Sequence, residues 1–518
     1  MEIQLLKDEY WWGGTIVEAD KMPYDCKTVR RIDLENDRIT QSAPLYLSSK
    51  GRYIWSEEPF VIEFNNGKIT ITSDFEVKLY EAGSTLRDAY LTAMKRHFPF
   101  EENIHTPREF YKYPQFNTWM ELIKNQNQAD IIKYAEEIIE NGYKPGILMI
   151  DGGWQICQGN WEPRLDMMPN PKAMTNRLHE LGFIVMIWVS PFMCSEGQIF
   201  LDLYTDYAVE GKHEELRYNH LVRYKDGTPA INHWWSGFSS VYNFNLPDDR
   251  AHMAGQLNHL IEDYGFDGFK FDGGAYKPVN FIMGTDFYGD YTLAQLNNAW
   301  MEFASSYKYH EVKDSWKQGG KQIIQRLWDK FHSWTGQGIN CLIPHGCFAG
   351  LIGSPFICPD MVGGGEWTSF MKGECQEELF VRMAQCSALF PMMQFSSLPW
   401  RRLSEKGQKI CKEMAELHEA MYPEIEKALT YSEKTGEPII RSMEYMYPNH
   451  GYETINDQFM LGENILVAPV VIEGQTVKEV SIPEGEWIEQ NTKKVYNGPC
   501  KIKVDAPLEI LPWFIKNC

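Results

Sequence analysis

Apolar and polar residues alternate along the first stretch of the chain. IVEAD (16–20), RITQSAPLYLS (38–48), RYIWS (52–56) and FVIEFNNGKITITSDFEVKLYEA (60–82) carry the period of two expected of half-buried strands. Asn65-Asn66-Gly67 supplies a hairpin turn. A helical pattern, LRDAYLTAMKRHF (86–98), leads out of this β region. From residue 106 the period changes. Short apolar runs alternate with longer amphipathic helices: FNTW (116–119), GILMIDGG (146–153), FIVMIWVSPF (183–192), GFKFDGG (268–274), IIQRLWD (323–329), LIGSPFICPD (351–360), ALFPMMQFS (388–396) and IIRSMEY (439–445). Strands separated by helices read as parallel βα units. Eight of them in about 340 residues fit a (β/α)8 barrel. A doubly wound sheet is the alternative, but no G-x-G-x-x-G follows any strand. From 448 onward the period returns to two, in ENILVAPVVI, TVKEVSIPEG, KIKVDA and LEILPWFI, with Pro and Gly turns. The expected fold class is α/β: a (β/α)8 TIM barrel (106–447) flanked by an N-terminal β-sandwich (1–105) and a small C-terminal β-sandwich (448–518).

Composition narrows the partners. The 518 residues carry 50 Lys and Arg against 71 Asp and Glu, a net charge of −21. That excess argues against an extended phosphate-binding surface and against anionic membranes, so neither nucleic acid nor membrane is an expected partner. Aromatics make up 14% of the chain, too many for disorder. The 11 cysteines are scattered, with no C-x-x-C, and a disulfide framework is not expected. MEIQLLKDEYWWGG shows no basic start followed by an apolar run, so no signal peptide is expected and the default location is cytoplasmic. Oligomeric state is left open, a homo-oligomer included.

The barrel expectation selects among the acidic residues, because catalytic groups of such barrels stand at the C-terminal ends of strands. Asp151, Asp272, Asp329 and Asp360 each terminate an apolar run, where a carboxylate is costly unless used or paired. Each could alternatively cap a helix. Two facing carboxylates are the minimum for cleaving a glycosidic bond: one attacks or stabilises the anomeric carbon, the other protonates the leaving oxygen. Trp119, Trp154, Trp161, Trp188, Trp328 and Trp367 lie on or just after the strand ends, where they would stack on sugars or fill core. Arg326, three residues before Asp329, would pair with a carboxylate or hold a hydroxyl. Lys270 shares a strand face with Asp272; an ion pair with a neighbouring carboxylate is its plain explanation, a catalytic base the other. No H-E-x-x-H or Cys/His ligand spacing indicates zinc, and no P-loop or G-x-S-x-G elbow is present. Gly363-Gly364-Gly365 reads as a tight loop rather than a phosphate cradle. His332 and His345 read as isolated structural or rim residues. No cofactor and no metal is called for.

These residues resemble glycoside hydrolase family 31 across nearly the whole chain. PLYLSSKGRYIW is similar to the family's N-terminal sandwich, and DQFMLGENILVAPVV and IPEGEW to its C-terminal β domain. GFKFDGG is similar to its nucleophile strand, which implies Asp272 as nucleophile. The family's acid/base aspartate stands in G-D-N-x-x-x-W downstream of an Arg. Here Arg326-Leu327-Trp328-Asp329 is followed by Trp334, with the spacing kept and the Gly and Asn absent. Asp360-Met361-Val362-Gly363-Gly364 is similar to D-I-G-G-F. The R-x-x-D-[KR] setting and Lys270 before the nucleophile resemble the branch containing bacterial α-galactosidases and the myogenesis-regulating glycosidase, which implies Asp329 as acid/base.

Two departures bear on the substrate. Relatives often read I-D-D-x-W where this chain reads Ile150-Asp151-Gly152-Gly153-Trp154, and the usual His after the seventh strand is replaced by Gln394-Phe395-Ser396-Ser397. Gly152 removes a hydrogen-bond acceptor and enlarges the expected pocket. The resemblance implies an exo-acting, retaining α-glycoside hydrolase, α-galactosidase-like, on a small glycoside or oligosaccharide. Asp151, Trp154, Trp188, Lys270, Arg326 and Asp360 would be its substrate-binding residues. α-Glucosidase or α-N-acetylgalactosaminidase specificity, an α-transglycosylase, a non-catalytic carbohydrate-binding protein, and a lyase or isomerase on the same barrel remain alternatives.

Overall fold

The computed structural model describes residues 1–37, 40–101, 105–197, 199–201, 203, 220–373 and 375–517. Arg38 and Ile39, at the start of the strand expected over 38–48, lie outside them, as does 204–219 of the long segment before the helix Pro247–Glu262. The chain forms two compact units, Met1–Phe116 with Lys317–Cys518, and Asn117–Trp316. No helix among the described residues is long and apolar enough to cross a membrane.

In the first unit, alternation produces two N-terminal sheets. Glu2–Gln4, Lys68–Thr72, Val61–Asn65 and Val29–Asp33 pair antiparallel in that order. Asn66 and Gly67, both at positive φ, form the two-residue turn that sets Asn65 opposite Lys68. Gln41–Ser48, buried throughout, pairs with Arg52–Ser56 and Trp11–Thr15, and Arg52–Ser56 with Val77–Glu81. Tyr46 of the second sheet meets Phe64 of the first at 6.1 Å between ring centroids, closing a sandwich. The helix Leu86–His97 follows, started by a capping box between Thr85 and Asp88. The same unit holds short parallel strands. Gln325–Arg326 pairs with Ile357–Cys358, and Met361–Val362 with Gln394–Phe395, which pairs with Gln115–Phe116. Of the strand expected over 351–360 only Ile357–Cys358 is paired: Leu351 ends the helix Leu342–Leu351, and Met361–Val362 follows beyond Pro359 and Asp360. At the C-terminal end six antiparallel strands run in the order Ile440–Arg441, Phe459–Leu461, Ile465–Val467, Trp513–Lys516, Val477–Glu489, Val495–Asp505. Met460, Leu466, Val480, Ile482, Trp487 and Phe514 fill their core.

The second unit is a parallel run of Ile147–Ile150, Ile184–Val189, Gly268–Phe271 and Tyr309–Val312. The helices Gln128–Glu140, Pro171–Glu180, Pro247–Glu262 and Leu293–Ala304 alternate with these strands along the chain. Phe269 and Phe271 turn their rings toward Trp300, Phe303 and Tyr307, which leaves Lys270 and Asp272 on the opposite face.

The strands define a (β/α)8 barrel, with two corrections to the sequence reading. Tyr309–Val312 is a barrel strand that the apolar runs did not reveal. The run 439–445 is not one: Ile440–Arg441 pairs antiparallel with Met460–Leu461 and opens the C-terminal sheet.

Candidate active site

In the unit Asn117–Trp316, the ends of three neighbouring strands gather the charged residues. Asp272 follows Gly268–Phe271, and its amide donates to Val189 O at 2.9 Å, so the ladder carries the residue one step past the strand. Its two carboxylate oxygens are held separately. Oδ1 accepts from the Gly273 amide at 2.9 Å and Oδ2 from the Trp188 indole N–H at 2.9 Å. The carboxylate is partly exposed while Trp188 is 4% exposed. Trp188 is fixed from behind: Trp154, fully buried, donates its indole N–H to Trp188 O at 2.9 Å, and Trp161 stands edge-on to Trp188 at 6.0 Å. Trp154 is therefore placed to position Trp188 rather than to meet a ligand. Asp151 is also committed. Lys270 Nζ donates to its Oδ2 at 2.5 Å, the Gly152 amide donates to Oδ1 at 2.8 Å, and both partners of this ion pair are buried. The plain explanation of Lys270 is the one realised. Opposite Lys270 in the parallel register is Glu311, on the strand missed in the sequence.

Gly152 lies against the indole of Trp188. A Cβ there would stand 3.2 Å from Cδ2 and 3.3 Å from Cε3. Any side chain at 152 presses on the residue that holds the Asp272 carboxylate. The structure gives this glycine a contact reason, where sequence suggested a lost hydrogen-bond acceptor and a widened pocket.

In the other unit, Arg326 organises a second group. Its Nη1 donates to Asp329 Oδ1 at 2.6 Å and to Asp360 Oδ1 at 2.7 Å. Asp360 is 1% exposed, and its Oδ2 accepts from the Lys330 and Gly365 amides at 2.6 and 2.9 Å. Asp360 thus aligns Arg326 and ties down the following loop. Asp329 keeps a side chain 35% exposed, the only carboxylate of this group open to solvent. Gly365 explains the glycine run: its Cβ would come within 2.8 Å of Asp360 Oδ1 and 2.9 Å of Asp329 Oδ1, and Gly364 sits at positive φ against Lys330 O. Only a residue without a side chain lets the loop close on both carboxylates. Trp334 donates its indole N–H to Gln376 Oε1 at 3.1 Å. Gln394 is buried and bonded to Gln115 at 2.9 Å.

Other residues singled out in the sequence fall elsewhere. Asp249 is fully buried and accepts from the Leu221 and Asn243 amides at 2.7 Å, and Asp248 lies in the first turn of Pro247–Glu262; Asp249 organises a loop. Trp161 is core, and Trp367 is 43% exposed on a short helix. Sequence reasoning touched Lys330 only as the last position of the R-x-x-D-[KR] setting and missed its burial, with Nζ donating to Trp328 O at 2.5 Å. For Gly365 the glycine run marked the tight loop, and what it did not reveal is the pair of carboxylates on which that loop closes.

A protein-family model described as the glycosyl hydrolase family 31 TIM-barrel domain matches residues 110–428, and one described as that family's C-terminal domain matches 436–517. Among curated relatives, the myogenesis-regulating glycosidase of Mus musculus is 28% identical over 425 residues, covering 78% of this chain and 56% of its own length. The 1,3-alpha-isomaltosidase of Kribbella flavida is 25% identical over 391 residues, covering 67% and 50%. The chain spans about half the length of these relatives. A solved GH31 dextranase of Flavobacterium johnsoniae, complexed with glucose, superposes with a TM-score of 0.80 at 20% identity over 100% of this chain and 66% of its own. That likeness is one of fold. Strand-end carboxylates in a (β/α)8 barrel, with the family's barrel model over 110–428 and its C-terminal model over 436–517, place the chain: it belongs to glycoside hydrolase family 31.

Proposed function

We propose that the protein is a retaining, exo-acting α-glycoside hydrolase that removes a terminal α-linked sugar, with α-galactosides as the first substrate class and α-glucosides as the second. The observation that carries the reading is the state of Asp272. It is a strand-end carboxylate whose two oxygens are held by Gly273 N–H and Trp188 Nε1–H, and it remains partly open. A carboxylate fixed in this way is oriented for in-line attack without paying a reorganisation cost at the moment of reaction. In this reading Asp272 attacks the anomeric carbon and forms a glycosyl-enzyme. Asp329 donates its proton to the leaving oxygen and then takes one from water. Arg326, aligned by Asp360, orients Asp329, and the Lys270–Asp151 pair supports the wall behind Trp188.

Support for transfer to a sugar acceptor as a second outcome comes from a relative, the isomaltosyltransferase of Sporosarcina globispora, 25% identical over 378 residues. The test is a panel of aryl α-glycosides (galactoside, glucoside, N-acetylgalactosaminide), run with and without an added sugar acceptor. Hydrolysis with the α-anomer as first product by NMR, loss of turnover in Asp272→Asn, and Asp329→Ala activity surviving best on activated aryl leaving groups are the expected results. Near-normal hydrolysis by Asp272→Asn rejects the nucleophile. Equal loss on all leaving groups in Asp329→Ala rejects the acid.

A further inference from the structure

Away from the strand-end carboxylates, the unit Met1–Phe116 with Lys317–Cys518 contains a cluster of metal-ligating side chains. Asp20 comes from the turn Ile16–Lys21, Cys341 ends the turn Ile339–Cys341, and His345 lies in the first turns of the helix Leu342–Leu351. One donor atom from each lies within 4.8 Å of the other two. Cys341 and His345 are four residues apart, so the helix presents them on one face. Asp20 reaches them from more than three hundred residues away in sequence, which is why spacing alone hid the set.

The imidazole lacks what a buried histidine normally has. His345 is fully buried, and neither ring nitrogen has a hydrogen-bond partner among the described residues. Asp20 Oδ1 has none either; Lys21 Nζ stands off at 3.8 Å and is tied to Glu18 at 3.2 Å. Buried polar atoms are paired in nearly all folded proteins. Burial, with the charges of Lys330 and Lys21, holds the imidazole well below the ordinary histidine range, so it carries a free lone pair.

We infer that Asp20, Cys341 and His345 form a binding site for a divalent transition metal of the zinc class, which staples the N-terminal segment to the helix Leu342–Leu351. The donor set is one sulfur, one imidazole nitrogen and one carboxylate oxygen, which suits zinc and not the oxygen-only shells of magnesium or calcium. Ligands on a tetrahedral ion at ~2.0–2.3 Å stand up to roughly 4 Å apart, so the cluster closes by about an ångström at its widest. Asp20 keeps 18% of its side chain exposed and forms the entry edge, where water completes the shell. Binding is balanced by proton release. The Cys341 thiol, which donates to Gly336 O at 3.0 Å and is pushed up to about 12 by burial, gives its proton to solvent as the sulfur–metal bond forms. Thiolate and carboxylate together neutralise the ion.

The test uses the full chain, stripped with chelator, reduced and titrated with Co2+. One cobalt per chain is expected, with a near-ultraviolet thiolate-to-cobalt band and tetrahedral visible bands, both abolished by added Zn2+. Cys341→Ser should lose the thiolate band, and His345→Gln the tetrahedral bands. Asp20→Asn, at the exposed edge, should keep the band and bind Zn2+ at least ~10-fold more weakly. Absence of a thiolate band in the wild-type chain overturns the inference, as does a band unchanged in Cys341→Ser and His345→Gln, which would put the ion on other cysteines. If those two variants do not fold, Asp20→Asn decides: unchanged Zn2+ affinity overturns the site.

Discussion

At the scale of single residues, the group around Asp272 is a chain of contacts in which the smallest member sets the tolerance. Gly152 touches the Trp188 indole, and Trp188 holds Asp272 Oδ2. A methyl group at 152 would have to displace the ring by a few tenths of an ångström, and the ring carries the carboxylate with it. Misplacing a reacting group by about 1 Å costs roughly 100-fold in rate. Gly152→Ala should therefore lower kcat by ~3–10-fold and Gly152→Asp by ~100-fold. The aspartate would not restore the family's usual hydroxyl grip, because its carboxylate would first have to move Trp188. Steady-state kinetics on an aryl α-glycoside, with thermal unfolding as the control for stability, checks this. An unchanged kcat in Gly152→Ala means the ring yields freely and does not govern Asp272.

At the scale of elements, what could be read in the sequence depended on how much of each element is apolar. GILMID and GFKFD are long enough in apolar residues to announce both a buried strand and the carboxylate at its end. Tyr309-His310-Glu311-Val312 is not: three of its four residues are ionisable, and the strand is identified by parallel pairing with Gly268–Phe271. IIRSMEY shows the opposite failure. An apolar run carries no strand direction, and Ile440–Arg441 turned out to pair antiparallel in the C-terminal sheet. The Asp20–Cys341–His345 set depends on approaches between distant segments, which no local pattern records, and the glycine run at Gly365 announced a tight loop but not the Asp329 carboxylate against which it closes. Arg382 is a further case. It lies on the helix Glu377–Ser387, is 1% exposed and makes no ion pair with a carboxylate among the described residues. Instead its guanidinium donates to Gln475 O, Ala506 O, Pro507 O and Ile510 O at 2.8–3.3 Å. One side chain thus fastens the helix to the segment that carries the last strands. Arg382→Met removes these donors together, from the buried Ala506 carbonyl and from the part-buried carbonyls of Gln475, Pro507 and Ile510, at a cost of about 3 kcal/mol. Arg382→Lys should recover little, since one ammonium cannot span four carbonyls set around a planar fork. Denaturant unfolding of the three proteins, followed by tryptophan fluorescence, measures it.

At the scale of the whole molecule, stability should depend on pH through a group that no catalytic reading uses. Glu444, in the short helix Met443–Met446, is 1% exposed and its Oε2 has no partner among the described residues. Burial first, and the charge of Glu453 second, push its carboxyl up to about 8 against a lowering by the Asn449 amide and Lys50. Between the ordinary glutamate value and about 8, the folded chain keeps a proton that the unfolded chain has lost. The unfolded state then binds fewer protons, so the stability conferred by neutral Glu444 is fully present below the ordinary value and is lost as pH rises through the folded one. The slope for one group is at most ~1.4 kcal/mol per pH unit. With a net charge of −21, self-repulsion grows in the same direction as other groups lose protons, so the bare pH profile cannot separate the two. Glu444→Gln does, because it keeps the shape and removes only the titration. Guanidinium midpoints at about pH 5 and about pH 9 should converge for the variant and diverge for the wild-type chain, with the variant the more stable at the higher pH. Parallel profiles for the two proteins across that window would mean that Glu444 is already ionised in the folded chain and that the decline belongs to the overall charge.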